Sequence, residues 1–305
     1  MLIAAIFRAA CVIAALLPLS LLRALGLGVA WCWFYLLPIR RAVVLANLAA
    51  AFPDLPRRRR WQMAREVFAF QGQCAWEMLA WRKLLRPQAP WRFADLSGLR
   101  AATRGGAIAV TGHLGAWELA LATAAVQGLP VTVFSRHLRH RGLDRAWSAV
   151  RRRLGIEIIY EDEGLTAVGA ALRAQRVLVV AIDQHSPERR AVVCDFLGHP
   201  ARTSPLAATL ALRYQVPLLL VHTHRDPQGI HHIAWQHVDT DRESSTCVSE
   251  RIQALTMQCC QALTTPVLHY PTQWLWLHRR WKDHTGRALF GPQRRQRRHG
   301  SAAHS

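Results

Sequence analysis

The chain has 305 residues, 51% of them hydrophobic, and a formal net charge of +20 from 39 Lys and Arg against 19 Asp and Glu. That length bounds one large domain with appendages and a sizeable core, and the charge points to polyanionic neighbours such as anionic lipid head groups, an acidic partner protein or nucleic acid. Seven cysteines, an odd number with no CxxC pair, argue against a disulfide framework or a zinc module and read as free thiols in a reducing compartment.

In chain order, Met1 to Ile39 is apolar except for Arg8 and Arg23. Ala9–Leu22 and Ala24–Ile39 are each too short for a straight span of about 20 residues. With Arg23 snorkelling or buried, they make either one long tilted span or a helical hairpin embedded in one leaflet. Trp31, Trp33, Phe34 and Tyr35, followed by Arg40 and Arg41, read as an interfacial belt with a positive cytoplasmic flank, hence a retained anchor rather than a cleaved signal peptide. A buried helical pair is the rival. A turn-rich break from Asn47 to Pro56 follows, then the Arg57–Arg60 run and an amphipathic helix over Trp61–Leu85.

From Gly105 short apolar runs alternate with helical stretches. Strands are expected at Ala107–Thr111, Pro130–Ser135, Ile156–Tyr160, Val177–Ile182 and Val216–Thr223, with helices at Gly115–Gln127, Leu143–Leu154, Leu165–Ala174 and Pro205–Tyr214. This alternation predicts an α/β domain with a mostly parallel central sheet and flanking helices. Ala191–Phe196 and His231–Trp235 read as extra strands and Ser249–Leu263 as a further helix. Gln293–Ser305 reads as a basic, disordered tail. The domain plan is therefore an anchor at 1–40, a helical lead-in at 41–104, the α/β domain at 105–285 and the tail at 286–305. The histidines at 222, 224, 231, 232 and 237 alternate as in a strand, and no carboxylate or cysteine at ligand spacing completes a metal set.

The chemistry concentrates in Val110-Thr111-Gly112-His113-Leu114-Gly115-Ala116-Trp117-Glu118. A strand ends, a glycine turns the chain, a histidine follows, and a carboxylate comes five positions later as a helix begins. Strand exits of open α/β sheets are where ligands bind. In a continuous helix five positions is about 500°, which keeps the two side chains apart. They meet if His113 lies in the turn and Glu118 in the first helical turn. Glu118 is then expected to hold one ring nitrogen of His113, leaving the other to take a proton from a hydroxyl. Gly112 allows close backbone approach, and amides at the helix start are the expected oxyanion donors.

The string resembles the His-x4-Asp/Glu motif of the lysophospholipid acyltransferase superfamily, and in particular the bacterial lipid A late acyltransferases. Asn47-Leu48 with Phe52-Pro53, Phe134-Ser135-Arg136 ahead of Leu143-Asp144, Asp183-Gln184, Phe196-Leu197-Gly198, and Pro271 to Lys282 are similar to further blocks of that family, in order. His140 stands in a loop where the family usually has an asparagine, which bears on acceptor identity. The resemblance implies His113 and Glu118 as the catalytic pair, with Gly112, Arg136 and Asp183 at the substrate site. Arg136 is a candidate grip on an acceptor phosphate; Asp183 is as readily a loop-capping residue. The implied reaction moves a fatty acyl chain from an acyl-carrier protein or CoA thioester to a hydroxyl of a lipid A precursor, at the cytoplasmic face of the inner membrane. It needs no cofactor and no metal, and nucleic acid is not an expected partner. The helices at the N-terminus and at Trp61–Leu85 are the expected walls of the acyl channel. The alternatives are the same chemistry on another glycolipid or aminolipid, or an inactive lipid-binding protein.

Overall fold

A computed structural model describes residues 2–86, 89–240, 247–283 and 287–290. The expected tail at Gln293–Ser305 lies outside the described residues.

The N-terminal region is helical. It comprises α1 (Leu2–Leu16), α2 (Leu19–Tyr35), α3 (Arg41–Ala51), α4 (Arg57–Leu79) and the short α5 (Trp81–Leu84). The break between α1 and α2 falls at Pro18, not at Arg23, because proline cannot donate into a continuing helix and stands at the α2 N-cap. No helix among the described residues is long and apolar enough to cross a membrane, so the single tilted span is overturned. Instead α2 lies along α4, the two backbones meeting at Gly26 and Gly72. A Cβ on Gly26 would stand 2.7 Å from the Gly72 carbonyl oxygen, so a side chain at either glycine would force the helices apart. Arg23, which an apolar helix cannot leave unpaired, is half-buried and paired with the buried Glu77 of α4, with Nε 2.6 Å from Oε1. Helix α1 has an edge-on contact between Phe7 and Trp147 at 6.1 Å. The other side of this hairpin leaves Val12, Leu16, Leu25, Val29 and Trp31 exposed.

Asn47 and Leu48, read from sequence as part of a break, sit inside α3. Both are buried, and the Asn47 amide donates to the carbonyls of Trp276 and His278 at 2.9 Å.

The remaining chain runs β1 (Trp91–Phe93), α6 (Leu96–Ala102), β2 (Ala107–Thr111), α7 (Trp117–Val126), β3 (Val131–Ser135), α8 (Arg141–Arg153) and β4 (Glu157–Tyr160). It continues through α9 (Gly164–Arg173), β5 (Val177–Ala181), β6 (Val192–Phe196), β7 (His199–Thr203), α10 (Leu206–Tyr214), β8 (Leu218–Arg225), β9 (His231–His237) and α11 (Val248–His269). Seven strands form one sheet in the order β1-β9-β8-β2-β5-β3-β4, with β6 and β7 a separate hairpin. Every pairing in the large sheet is parallel except β8 with β9. The expected mostly parallel α/β sheet is what forms. The apolar, largely β-branched runs of β2, β3 and β5 fit its interior, where helices cover both faces.

Trp274, Trp276 and Trp281 are buried in the main core, with Trp274 and Trp276 packed edge to face at 4.7 Å. Their indole rings are core.

Candidate active site

The central neighbours β2, β5 and β3 all end on the same edge of the sheet, and the loops that leave them make the site. Their register pairs Thr111 with Ala181. His113 and Asp183, each two residues further on, therefore emerge side by side. The His113 Nδ1 lies 2.8 Å from Asp183 Oδ1, and the His113 backbone N–H donates to Asp183 Oδ2 at 2.7 Å. Trp274 Nε1 donates to the same Oδ2 at 2.7 Å, so a carboxylate that is 2% exposed has three donors. Burial opposes its charge, but the His113 ring, the His113 backbone and Trp274 outweigh that and hold the Asp183 carboxyl well below the usual range. With Nδ1–H given to Asp183, the Nε2 of His113 carries the lone pair.

The orienting carboxylate is therefore Asp183, not Glu118. Glu118, in the first turn of α7, forms a bidentate pair with Arg151 of α8, whose Nε donates to Oε2 at 3.2 Å while Nη2 donates to Oε1. Each of these side chains is 9% exposed. Glu118 still acts on the histidine at a distance. Burial lowers the affinity of the His113 ring for a proton, but Asp183 and then the Glu118 charge more than compensate, and its pKa lies above 6.5.

A cleft of about 340 Å³ opens over these groups. It is lined by His113, Trp117, Glu118, Arg151 and Gln184, together with the exposed Arg136 and His137 and with Ser186 and Glu188. Arg136 follows β3 as expected, is exposed, and pairs with Glu161 at 2.5 Å. Gly112 is buried under the loop, where a Cβ would stand 2.9 Å from the Leu263 side chain and 3.2 Å from the Asp183 carboxyl. Its lack of a side chain lets Asp183 approach. Gly115 has φ of 64°, a left-handed conformation that favours glycine, and packs against the Thr223 carbonyl. The loop amides of residues 113–115, ahead of the helix, are occupied. His113 N–H goes to Asp183, Leu114 N–H to the Gly112 carbonyl at 2.8 Å, and Gly115 N–H to the Gln273 carbonyl at 3.1 Å.

A second, narrow apolar slot shares Thr111, Trp117 and Val179 with the cleft and runs between α7, α6 and the sheet past Leu99, Leu121 and Val131. The N-terminal helices do not line it. Among the described residues no group of three His, Cys, Asp or Glu side chains is arranged to hold a metal. His224 and His232 stack on each other at 4.8 Å, and His231 stacks on Trp91 at 4.5 Å.

The sequence model of the family described as bacterial lipid A biosynthesis acyltransferase matches residues 2–283. The chain belongs to that family. A search of curated proteins gave no match. The protein is accordingly an O-acyltransferase of lipid A biosynthesis type, acting on an acyl donor and a lipid acceptor. In this acyltransferase the separated sequence blocks turn out to be mutual supports of one site. Asn47 ties α3 to the C-terminal segment, Trp274 of that segment holds Asp183, and Asp183 holds His113.

Proposed function

We propose that the protein transfers a fatty acyl chain from an acyl-carrier protein or CoA thioester to a hydroxyl of a lipid A precursor at the cytoplasmic face of the inner membrane. The observation that carries this reading is the His113–Asp183 pair at a strand exit in an open cleft. The acceptor O–H donates to His113 Nε2 and loses its proton to it as the oxygen attacks the thioester carbonyl. Asp183 holds the ring and stabilises the imidazolium, with Glu118 adding negative charge from beside Arg151. When the tetrahedral intermediate collapses, the C–S bond breaks and the imidazolium returns its proton to the leaving thiolate. No acyl-enzyme is formed. The apolar slot beside Trp117 suits the methylene chain of the acyl group, and the net charge of +20 suits an acidic carrier and anionic lipid. Mass spectrometry of membrane lipids from cells expressing the wild type or His113→Ala tests the reading. An acyl addition that needs His113 is expected; identical lipid profiles would sink it.

The exposed apolar side of the α1–α2 hairpin, next to Arg40, Arg41 and the Arg57–Arg60 run, supports a helical pair lying in the interface rather than a span. Full-length protein is expected to float with anionic vesicles and to do so less after Leu25→Asp and Val29→Asp. Flotation unchanged by both substitutions would assign binding to another surface.

Arg136 at the cleft rim suits a phosphate of the acceptor, for which it would exchange Glu161. A planar guanidinium grips phosphate in a way a lysine does not. Arg136→Lys is expected to cost roughly tenfold to a hundredfold in kcat/KM on a phosphorylated acceptor, the equivalent of about 1.5–3 kcal/mol, and almost nothing on one lacking that phosphate. An equal loss on both would move Arg136 to donor binding or to structure.

A further inference from the structure

An oxyanion forms on the thioester carbonyl in the proposed reaction, and the loop beside His113 has no spare amide among residues 113–115 to receive it. A donor that stands against the catalytic nitrogen is a side chain. Gln184 follows Asp183 at the exit of β5, lines the cleft, and brings its Nε2 to 3.3 Å from His113 Nε2. Because His113 gives its Nδ1–H to Asp183, its Nε2 accepts, and the Gln184 amide is the donor in that contact. An amide N–H parked on the catalytic nitrogen is a placeholder. When an acceptor hydroxyl arrives and donates to Nε2 itself, the amide is displaced within reach of the carbonyl being attacked.

The peptide that carries Gln184 is fixed on both sides. Asp183 is held by the His113 loop and by Trp274 Nε1. The Gln184 carbonyl accepts from Nη1 of Arg280 at 2.7 Å, and the His185 N–H donates to Nε2 of His278 at 3.0 Å. His278 stays neutral and able to accept because burial, joined by Lys282 and Arg280, pulls its pKa down to about 3. Arg280 is completely buried, and its hydrogen bonds to oxygen go to the Gln184 and Arg202 carbonyls and the Thr203 hydroxyl rather than to a carboxylate. A guanidinium buried on those terms organises the backbone rather than neutralising an acid. With the peptide held this firmly, the amide has only side-chain rotation to make between its resting contact and the oxyanion, and a small reorganisation favours oxyanion stabilisation.

We infer that Gln184 is a catalytic residue that donates its side-chain amide to the tetrahedral oxyanion, and that in the free enzyme the same amide caps the lone pair of His113. This rests on the acyl-transfer reading given above. The test uses purified full-length protein with dodecanoyl thioesters of CoA and of acyl-carrier protein, measuring transfer to extracted membrane lipids and, separately, hydrolysis without acceptor. Gln184→Met keeps the volume and removes the donor. It is expected to lower kcat for both transfer and hydrolysis by about 10²–10³, with KM and the thermal midpoint near wild type. Gln184→Glu places a carboxylate beside Nε2, and is expected to lower the rate and to move the acid limb of the pH profile upward, because the new charge favours the protonated ring; an unmoved limb would show that the side chain does not sit against Nε2. Wild-type turnover by Gln184→Met beside an inactive His113→Ala would overturn the inference and leave the acyl-transfer reading standing. Loss of transfer with hydrolysis spared would also overturn it, assigning Gln184 to the acceptor instead. Normal turnover by His113→Ala would remove the acyl-transfer reading on its own.

Discussion

Asp183→Asn is expected to reduce acyl transfer nearly as much as His113→Ala, by about 10²–10⁴ in kcat/KM, and to move the pH dependence in a defined direction. The base is the neutral imidazole, so activity falls as the pH drops through the His113 pKa. In the wild type that limb is expected above the ordinary imidazole range, because Asp183 and Glu118 outweigh burial. Asparagine removes the nearer negative charge and leaves burial in place, so the limb moves to lower pH while the plateau falls. The plateau falls because the ring loses both its orienting acceptor and the charge that stabilises its protonated form. Glu118→Gln, by contrast, removes a charge that makes no hydrogen bond to the ring and leaves Arg151 buried without its partner. It is expected to move the limb the same way by less, with a cost in stability as well as in rate. Measuring kcat/KM against pH for the wild type, Asp183→Asn and Glu118→Gln separates these roles. An unmoved limb in Asp183→Asn would show that Asp183 does not govern the protonation of His113.

The difference between Glu118 and Asp183 also marks how far the sequence could be read. His113 was legible because a buried strand, a glycine and a histidine at the strand exit are consecutive in the chain. So were the strands at 107–111, 131–135, 157–160 and 177–181, which carry β-branched and apolar runs between turn residues. The partner of His113 was not legible, because it depends on β2 and β5 being neighbours in the Thr111–Ala181 register. The local motif drew Glu118 to the histidine, although helix geometry turns residues five apart away from each other. Its actual partner, Arg151, lies 33 residues on. Gln184 was visible only as the residue after Asp183, and its closeness to His113 is again a matter of strand order. The same holds for the three-residue β1, too short to show a period, and for the apolar slot beneath α7 and α6. Proline at 18 was a local signal, outweighed by the charge at Arg23, whose meaning lay 54 residues away in Glu77.

Glu77→Ala is expected to be the most destabilising single substitution outside the site. Glu77 has no exposed surface, yet it receives Arg23 Nε at 2.6 Å and Arg225 Nη1 at 2.8 Å on one oxygen, with His231 Nε2 at 3.4 Å from the other. Arg23 comes from α2, Glu77 from α4, and Arg225 and His231 from β8 and β9, so one carboxylate joins the hairpin, the long helix and the sheet. Removing it leaves two guanidinium groups packed together with no counter-charge. Breaking a buried ion pair in this way costs about 3–5 kcal/mol, to be read as a lower denaturant midpoint at pH 7. Arg23→Ala should cost less, since Arg225 still neutralises the carboxylate, but it should loosen α2 from α4 and raise protease sensitivity near Pro18. The pH dependence has a definite sign. Burial alone would raise the Glu77 pKa, but His231, Arg225 and Arg23 outweigh it and hold the value at about 2, against 4.5 for an unperturbed glutamate. A depressed carboxyl pKa contributes stability that is complete above the unfolded value and lost as pH falls through the folded one. The wild type should therefore lose stability between about pH 4.5 and 2, and Glu77→Gln should show a shallower loss over the same interval. Parallel slopes for the two proteins would mean that the network holds the hairpin without being worth anything to the fold.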